Sequence, residues 1–356
     1  PGCGHDMMLV EVVDRKGERA AFAVEPGQRL LHAGLMKGIG LPHECGTGTC
    51  GNCKASIMTG TVSNLWPQAP GTRVCRRSGE VLLCQTAATS ALQVKLNSTF
   101  FAPYQPPCAI RTGRLMLKRL LTSEVGLFDV SLDEPMKYLP GQFVLLSLPG
   151  IEGPRAYSMI SHEPDETRLS LLIRCSQEGQ FTSRIFKGQC DERVEVFGPL
   201  GRATFTTAEQ RPFVAIAGGS GIAGMMAIIR HALAGRHFAQ HPSHLFFGLR
   251  HPDASYLLDE LSEFVEQSSG KLQVTVAFSD VTSAEAIAAR YPLLRFSFGP
   301  VHEIARDHVR GAVKADGAQK PLFFVGGPPP MVDATMRALI TQCKISPTEI
   351  RYDRFG

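Results

Sequence analysis

Hydrophobic and polar positions change their period three times along the chain. Met8 to Val13 alternates with the period of two expected of a half-buried strand; a turn at Gly17 follows, and Ala20 to Val24 repeats the pattern. After Pro26-Gly27 the period lengthens over Leu30 to Lys37, which predicts a short helix. A loop rich in glycine and cysteine comes next, and strands are predicted near Gly79 to Gln85 and Leu92 to Leu96. From about Ala109 to Pro199 the signal is strand after strand: Gly113 to Leu120, Leu127 to Leu132, Gln142 to Leu148, Leu169 to Arg174 and Arg193 to Phe197. Turns with Gly, Pro and Asp separate them, one helical stretch (Phe181 to Lys187) interrupts them, and the close spacing predicts a small antiparallel barrel. Beyond Arg211 strands alternate with helices. The strands are Phe213–Ala217, Leu245–Leu249, Leu272–Phe278, Pro321–Val325 and Ile350–Tyr352, with helices at Gly224–Ala234, Ala254–Glu266 and Met331–Cys343. That alternation predicts a parallel sheet covered on both faces.

These shifts divide the chain into 7–99, a linker at 100–108, 109–208 and 209–356. The linker assignment rests on Phe101-Ala102-Pro103-Tyr104-Gln105-Pro106-Pro107, whose three prolines predict a semi-rigid spacer. With 44% hydrophobic and 20% charged residues, the chain can build large cores and is not expected to be disordered. Apolar runs such as Phe213 to Ala217 and Leu322 to Val325 are strand-length, and Pro1-Gly2-Cys3-Gly4-His5 has no signal-peptide character, so a cytoplasmic protein without a membrane segment is expected. The net charge of +4 is mild and no basic run exceeds a pair such as Arg76-Arg77, so nucleic acid is not an expected partner. No heptad or interface helix stands out, and a monomer is expected.

The ten cysteines are unevenly placed. Cys3, Cys108, Cys175, Cys190 and Cys343 are scattered and read as unreactive thiols. Cys45, Cys50 and Cys53 form C-x4-C-x2-C, and Cys84 follows after 30 intervening residues. This is the plant-type spacing for a [2Fe–2S] cluster. Three thiolates must come from one tight loop and the fourth from elsewhere. Gly46, Gly48 and Gly51 let the backbone approach the sulfurs. A zinc site more often shows two short cysteine pairs or mixed histidines, and the x4 gap and lone distant fourth cysteine fit it poorly. Cys75 competes as fourth ligand; Cys84 is preferred because Val81 to Cys84 reads as a strand that would hold it. On this motif, residues 8 to about 97 resemble a plant-type ferredoxin domain, which implies a β-grasp fold.

Arg155-Ala156-Tyr157-Ser158 matches R-x-Y-S, the flavin motif of the ferredoxin–NADP reductase superfamily. The arginine suits a pyrophosphate, the tyrosine can pack on the isoalloxazine or ribityl chain, and the serine can bond the flavin near N5. In the same resemblance Leu172-Ile173-Arg174 takes the place of a second flavin-contacting strand. Gly179-Gln180-Phe181-Thr182 matches G-x-x-S/T at a helix start, where free N–H groups suit phosphate. Downstream, the strand Phe213–Ala217 runs into Gly218-Gly219-Ser220-Gly221-Ile222-Ala223-Gly224 and a helix, the arrangement that sets a phosphate against helix N–H groups. The superfamily also has a late C-G-P-P-x-M element, here Gly326-Gly327-Pro328-Pro329-Pro330-Met331. Two positions depart from it: Gly326 replaces the cysteine found near the nicotinamide, and Gly224 stands where proline is frequent. The ending Asp353-Arg354-Phe355 resembles the terminal acidic–variable–aromatic triplet of these reductases, which implies that Phe355 lies beside the flavin ring.

The order ferredoxin, flavin barrel, nucleotide domain resembles the reductase components of bacterial multicomponent oxygenases over nearly the whole chain. Within them the run Gly60 to Gly71, Val301-His302-Glu303-Ile304 and Asp353-Arg354-Phe355 look like toluene monooxygenase reductases. The resemblance implies FAD, a [2Fe–2S] cluster and NADH as cofactors. Hydride would pass from NADH to FAD beside Ser158 and Phe355, and single electrons from there to the cluster and on to a protein partner. That partner would be an oxygenase (hydroxylase) component or its Rieske ferredoxin. Arg250, after the second nucleotide-domain strand, could meet a 2′-phosphate, so NADH over NADPH rests on the resemblance. Rival readings are a Rieske-dioxygenase reductase, a reductase of small ferric chelates, and a redox-sensing module without sustained turnover. Trp66, the one tryptophan, either marks the cluster face or packs under its own loop.

Overall fold

The computed structural model describes residues 7–162, 166–176, 179–187, 191–312 and 319–354. Cys3, Cys190 and Phe355 lie outside the described residues. The first unit comprises β1 (Met8–Val13), β2 (Arg19–Val24), α1 (Leu30–Met36), β3 (Lys54–Thr59), β4 (Val62–Asn64), β5 (Glu80–Leu82), β6 (Thr86–Ala88) and β7 (Leu92–Leu96). Its main sheet has the order β2-β1-β7-β3-β5, with β1 and β7 parallel, and β4 pairs with β6. Leu30, Leu31, Ala33 and Leu35 bury one side of α1 against this sheet. β3, β4 and β6 were not predicted. In β3 (Lys-Ala-Ser-Ile-Met-Thr) a single residue, Ala55, is fully buried, so no clean alternation marks it.

The second unit comprises β8 (Ala109–Leu120), β9 (Val125–Leu132), β10 (Phe143–Ser147), β11 (Arg155–Ser158), β12 (Arg168–Arg174), α2 (Gln180–Phe186) and β13 (Asp191–Leu200). The strands form an antiparallel sheet in the order β11-β10-β13-β8-β9-β12, and a bridge between Met159 and Leu171 joins its two edges into the predicted barrel. Leu115, Phe128, Val144, Leu171 and Val196 fill the interior.

The third unit contains β14 (Phe213–Gly218), α3 (Ile222–Ala234), β15 (Ser243–Leu249), α4 (Leu258–Gln267), β16 (Leu272–Phe278), α5 (Glu285–Arg290) and β17 (Arg295–Phe298). It ends with α6 (Val301–Ala312), β18 (Leu322–Gly327), α7 (Pro329–Arg337) and β19 (Ile350–Arg354). Its six parallel strands run β17-β16-β15-β14-β18-β19. α3 and α4 cover one face, α6 and α7 the other. Strand order reverses between β15 and β18 on either side of β14, the switch point where such sheets bind ligands beyond their carboxyl ends. No helix among the described residues is long and apolar enough to cross a membrane.

Several expectations are corrected. The strand meant to hold Cys84 ends at Leu82, and Cys84 sits in a 3₁₀ turn, Leu83–Gln85. The Arg29 guanidinium fixes that turn by donating to the Cys84 carbonyl (3.0 Å) and to Gln85 Oε1 (2.5 Å). The helix expected from Ala254 starts at Leu258, because Leu257 takes a left-handed φ of 63°. The helix expected over Met331–Cys343 starts at Pro329 and widens into a π-turn over Ala338–Gln342. The linker is not a spacer. Phe101 N–H donates to Gly40 O at 2.7 Å, an approach so close that a Cβ at Gly40 would lie 1.8 Å from Phe101 O. Arg202 stacks over the Phe101 and Tyr104 rings, 4.8 Å from each centroid, and donates to Ala102 O. Aromatic side chains interleaved with the prolines make this stretch a strap sealed between two units.

Tyr104 is the centre of that seal. His43 Nδ1 bonds Leu41 O at 2.8 Å, so its Nε2 is the acceptor for the Tyr104 hydroxyl at 3.2 Å. The Gly201 N–H donates to the same hydroxyl at 3.1 Å. Tyr104→Phe keeps the ring and leaves two buried polar groups without partners. It should lower stability by roughly 1–3 kcal/mol, read as an earlier midpoint in urea denaturation.

Candidate metal centre and active site

The loop before β3 is built by left-handed glycines: φ is 67° at Gly46, 90° at Gly48 and 83° at Gly51. It folds the four cysteine sulfurs into two pairs. Cys45 and Cys50 lie 3.2 Å apart, as do Cys53 and Cys84, and all four are free thiols. The N–H groups of Thr47 and Cys50 point at the Cys45 sulfur and that of Asn52 at the Cys50 sulfur, each at 3.4 Å. The hydrogen bond with Cys50, helped by Thr47 and Thr49, draws Cys45 down to about 4 against its burial. The same bond and burial push Cys50 up; Cys84 rises likewise through Cys53 and burial. Two pairs suit two irons with two thiolates each. Cys75 is half-buried at the end of a 3₁₀ segment and belongs to neither pair.

A cleft of about 270 Å³ separates this loop from β11. Cys45, Thr47, Thr49 and Trp66 line one wall, and Pro154, Arg155, Ala156 and Tyr157 the other. The lining is largely apolar, with a few polar groups from Thr47, Thr49, Arg155 and Tyr157, a composition that suits an organic ring system. Trp66 therefore faces the cleft; its ring lies 3.4 Å from the Cβ that Gly153 lacks. Arg155 Nη1 donates to the carbonyls of Glu152 (3.2 Å), Gly153 (3.1 Å) and Pro154 (3.2 Å), which holds the guanidinium at the rim. Ser158 is buried at the end of β11, beside the first turn of α3, where its Cβ is 3.8 Å from the missing Cβ of Gly224. Side chains are tolerated there, so glycine in place of proline changes little. Leu172 and Ile173 turn their side chains into the cores, leaving backbone for any ligand contact, while Arg174 reaches out to Glu124 at 3.2 Å. At the start of α2, Thr182 Oγ1 accepts from Ser176 N–H at 3.0 Å and faces Gly179 O, with Gln180 and the buried Phe181 between.

A cleft of about 810 Å³ opens at the carboxyl ends of β14, β15, β16 and β18 and reaches the barrel at Thr122–Val125 and Arg174. Gly218, Gly219, Pro328, Met331, Arg250 and His251 line it; Ser220 lies in the same 3₁₀ turn. Gly221 and Gly327 serve packing. A Cβ at Gly221 would meet the Gly326 carbonyl at 2.5 Å, and one at Gly327 would meet the Met331 methyl at 2.5 Å. At Gly326 a Cβ would lie 3.0 Å from Gly221 O and 3.1 Å from the Met225 methyl. Glycine here draws the two turns together, and methionine methyls occupy the surroundings.

Sequence reasoning missed the place where all three units meet. The Tyr352 hydroxyl, on β19, donates to Glu44 Oε1 at 2.8 Å, one residue before the first cysteine of the loop. Glu44 Oε2 is buried without a partner. Asp353, half-buried where it lines an adjoining cavity of about 220 Å³, is pushed up to about 7 by burial and by the neighbouring Glu44 charge. Thr47 and Thr49 could have been found from their place between the cysteines; Glu44 and Tyr352 carry no local signal.

Comparisons with known proteins agree with this geometry. Residues 13–89 match the 2Fe-2S iron-sulfur cluster binding domain family, 112–205 the oxidoreductase FAD-binding domain and 215–337 the oxidoreductase NAD-binding domain. The chain is 34% identical to the ferredoxin–NAD(+) reductase component of the alkene monooxygenase system of Xanthobacter autotrophicus, over 96% of this chain and 99% of that protein. It is 26% identical to the xylene/toluene monooxygenase electron transfer component of Pseudomonas putida, over 92% and 89% of the two chains. A solved ferredoxin reductase in carbazole 1,9a-dioxygenase superposes with a TM-score of 0.79 at 27% identity, covering 99% and 100%.

Two predictions follow from the paired sulfurs and the raised aspartate. Cys84→Ser should abolish the visible iron–sulfur absorption and lower bound iron and sulfide, whereas Cys75→Ser should keep both. For Asp353, the native state holds its proton to higher pH than the unfolded chain does. Ionisation therefore erodes stability as pH rises from about 4 to about 7, and the full penalty remains above that. Asp353→Asn should melt above the parent at pH 8, with the gap narrowing at pH 5.5.

Proposed function

Because this chain belongs to the reductase components of multicomponent oxygenases, we propose that it delivers electrons from NADH, by way of FAD and the [2Fe–2S] cluster, to a hydrocarbon or aromatic monooxygenase. The observation that carries this reading is the shared cleft: Cys45 and Tyr157 line opposite walls of one slot. When bound, FAD and the cluster supply the conversion of a hydride pair into single electrons and their one-at-a-time carriage.

The residues divide the remaining work. Cys45, Cys50, Cys53 and Cys84 hold the cluster, and N–H groups of Thr47, Cys50 and Asn52 offset charge on its thiolates. Arg155, Ala156, Tyr157 and Ser158, with the Gly179–Thr182 turn, position FAD; Leu172 and Ile173 contribute backbone, and Arg174 its charge. Ser158 lies where β11 meets α3, and its hydroxyl would offer a hydrogen bond to the flavin. The role of Phe355 beside the ring is carried from the family resemblance. Gly218, Gly219, Ser220, Pro328 and Met331 hold the nucleotide, with Gly221 and Gly327 shaping its turns. NADH over NADPH is carried from the family resemblance; Arg250 lines the nucleotide cleft, where it could meet a 2′-phosphate. A monomer working in the cytoplasm, where NADH is available, fits this role.

A dioxygenase partner is the second reading, favoured by the superposition on the carbazole 1,9a-dioxygenase reductase. The monooxygenase reading is favoured by the 34% identity to the alkene monooxygenase component.

Anaerobic titration with NADH tests the relay. Flavin and iron–sulfur bands should both bleach, with about three electrons taken up per chain, two at the flavin and one at the cluster. Flavin bleaching without any cluster band would overturn the cysteine assignment. Silence toward both NADH and NADPH would favour a non-enzymatic redox sensor.

A further inference from the structure

We propose that Arg73, Arg76 and Arg77 form the docking face through which a protein acceptor with an acidic surface takes electrons from the cluster. This rests on the relay reading above and names the partner's chemistry.

The face is fixed by what the other sides of the cysteine loop touch. Gly46 lies against Leu145 and Leu200 of the barrel, and Glu44 is bonded to β19 of the nucleotide unit. Of the four ligating cysteines, Cys45, Cys53 and Cys84 are buried and Cys50 is half-buried, so the loop meets solvent on the Cys50 side. The segment Pro70–Val74 borders that side directly. Gly71 N–H donates to Gly48 O at 2.8 Å, and Val74 packs where a Cβ at Gly51 would come within 2.9 Å.

Charge then selects the partner. Between Cys45 and Leu96 there are five cations (Lys54, Arg73, Arg76, Arg77 and Lys95) and one carboxylate, Glu80. Glu80 is committed inward: it pairs with Lys54 at 3.1 Å and accepts from the N–H groups of Arg76 (2.8 Å) and Arg77 (3.1 Å). That bonding shapes the turn that carries Arg76 and Arg77; both are exposed, as is Arg73 in the preceding Pro70–Val74 segment, and none of the three forms an ion pair among the described residues. Three unpaired cations within five residues repel one another. Placed beside the electron exit, they attract and orient a negatively charged protein, with a rate that falls as salt rises.

The test uses the cofactor-loaded protein, the triple variant Arg73→Glu/Arg76→Glu/Arg77→Glu, and two one-electron acceptors of opposite charge: plastocyanin, which is anionic, and cytochrome c, which is cationic. At low ionic strength the triple variant should reduce plastocyanin about tenfold or more slowly and cytochrome c faster. Calorimetric binding of plastocyanin should weaken about as much, and NADH-driven bleaching of the cluster should be unchanged. The single variant Arg76→Glu should move both acceptors in the same directions by less. Parent-like rates and binding for both acceptors, with the cluster bleaching normally, would overturn the proposal. The calorimetric arm reads docking without turnover. A parent protein whose cluster NADH cannot reduce would sink the relay reading, and the docking result would still stand.

Discussion

Phe143, Leu145, Phe197 and Leu200 belong to strands of the barrel, yet they complete the hydrophobic core of the cluster-binding unit, together with Tyr104 and Cys108 of the strap. At roughly 1.5–3 kcal/mol for each large apolar side chain kept from water, pulling the two units apart would expose surface that neither can cover alone. His32 shows how thoroughly the seam excludes water. It stacks on Phe197 at 3.8 Å, and burial drives its imidazole down to about 3, so it packs as a neutral ring. The same device recurs at the second boundary, where Val125, Ile160, Leu172, Ala203 and Phe205 of the barrel join the core beneath α3 and α4. Electron transfer needs a fixed gap between donor and acceptor. Shared cores set that gap in the fold itself, and the cleft between Cys45 and Tyr157 is its visible result.

Which parts of this were legible in the sequence follows from where the information resides. Metal ligation demands particular side chains at particular separations, so Cys45, Cys50, Cys53 and Cys84 stand out as candidates in the sequence, and the fold brings their sulfurs together in two pairs. The central strands of the parallel sheet are buried on both faces and appear as apolar runs, as in Phe213–Ala217. α6 escaped because its buried positions, Val301, Ala305 and Val309, form a stripe one residue wide amid charged neighbours. β17 is an edge strand of four partly exposed residues, too short for any period to show. Placement across domains was not legible at all. Arg29 looks like any charged residue before a helix, yet it fixes the turn that carries Cys84, 55 residues away. The proline-rich strap was read by its prolines, while its behaviour is decided by Phe101 and Tyr104.

The nucleotide unit reaches the metal loop through its last strand. β19 lies at the edge of the parallel sheet beside β18, whose end carries the Gly326–Gly327 turn against Gly221. Any ligand that presses on that turn acts on the partner strand, since Gly327 and Arg354 are paired in register. Two residues earlier on β19, Tyr352 bonds Glu44, the neighbour of Cys45. Glycine at 326 matters in this chain of contacts because it brings β18 and the β14 turn closer than a side chain would permit without displacement. The two ends of the relay are therefore joined twice. One connection is the cleft between Cys45 and Tyr157, and the other is a short run of backbone and one phenol through which the nucleotide turn and the cysteine loop share their position.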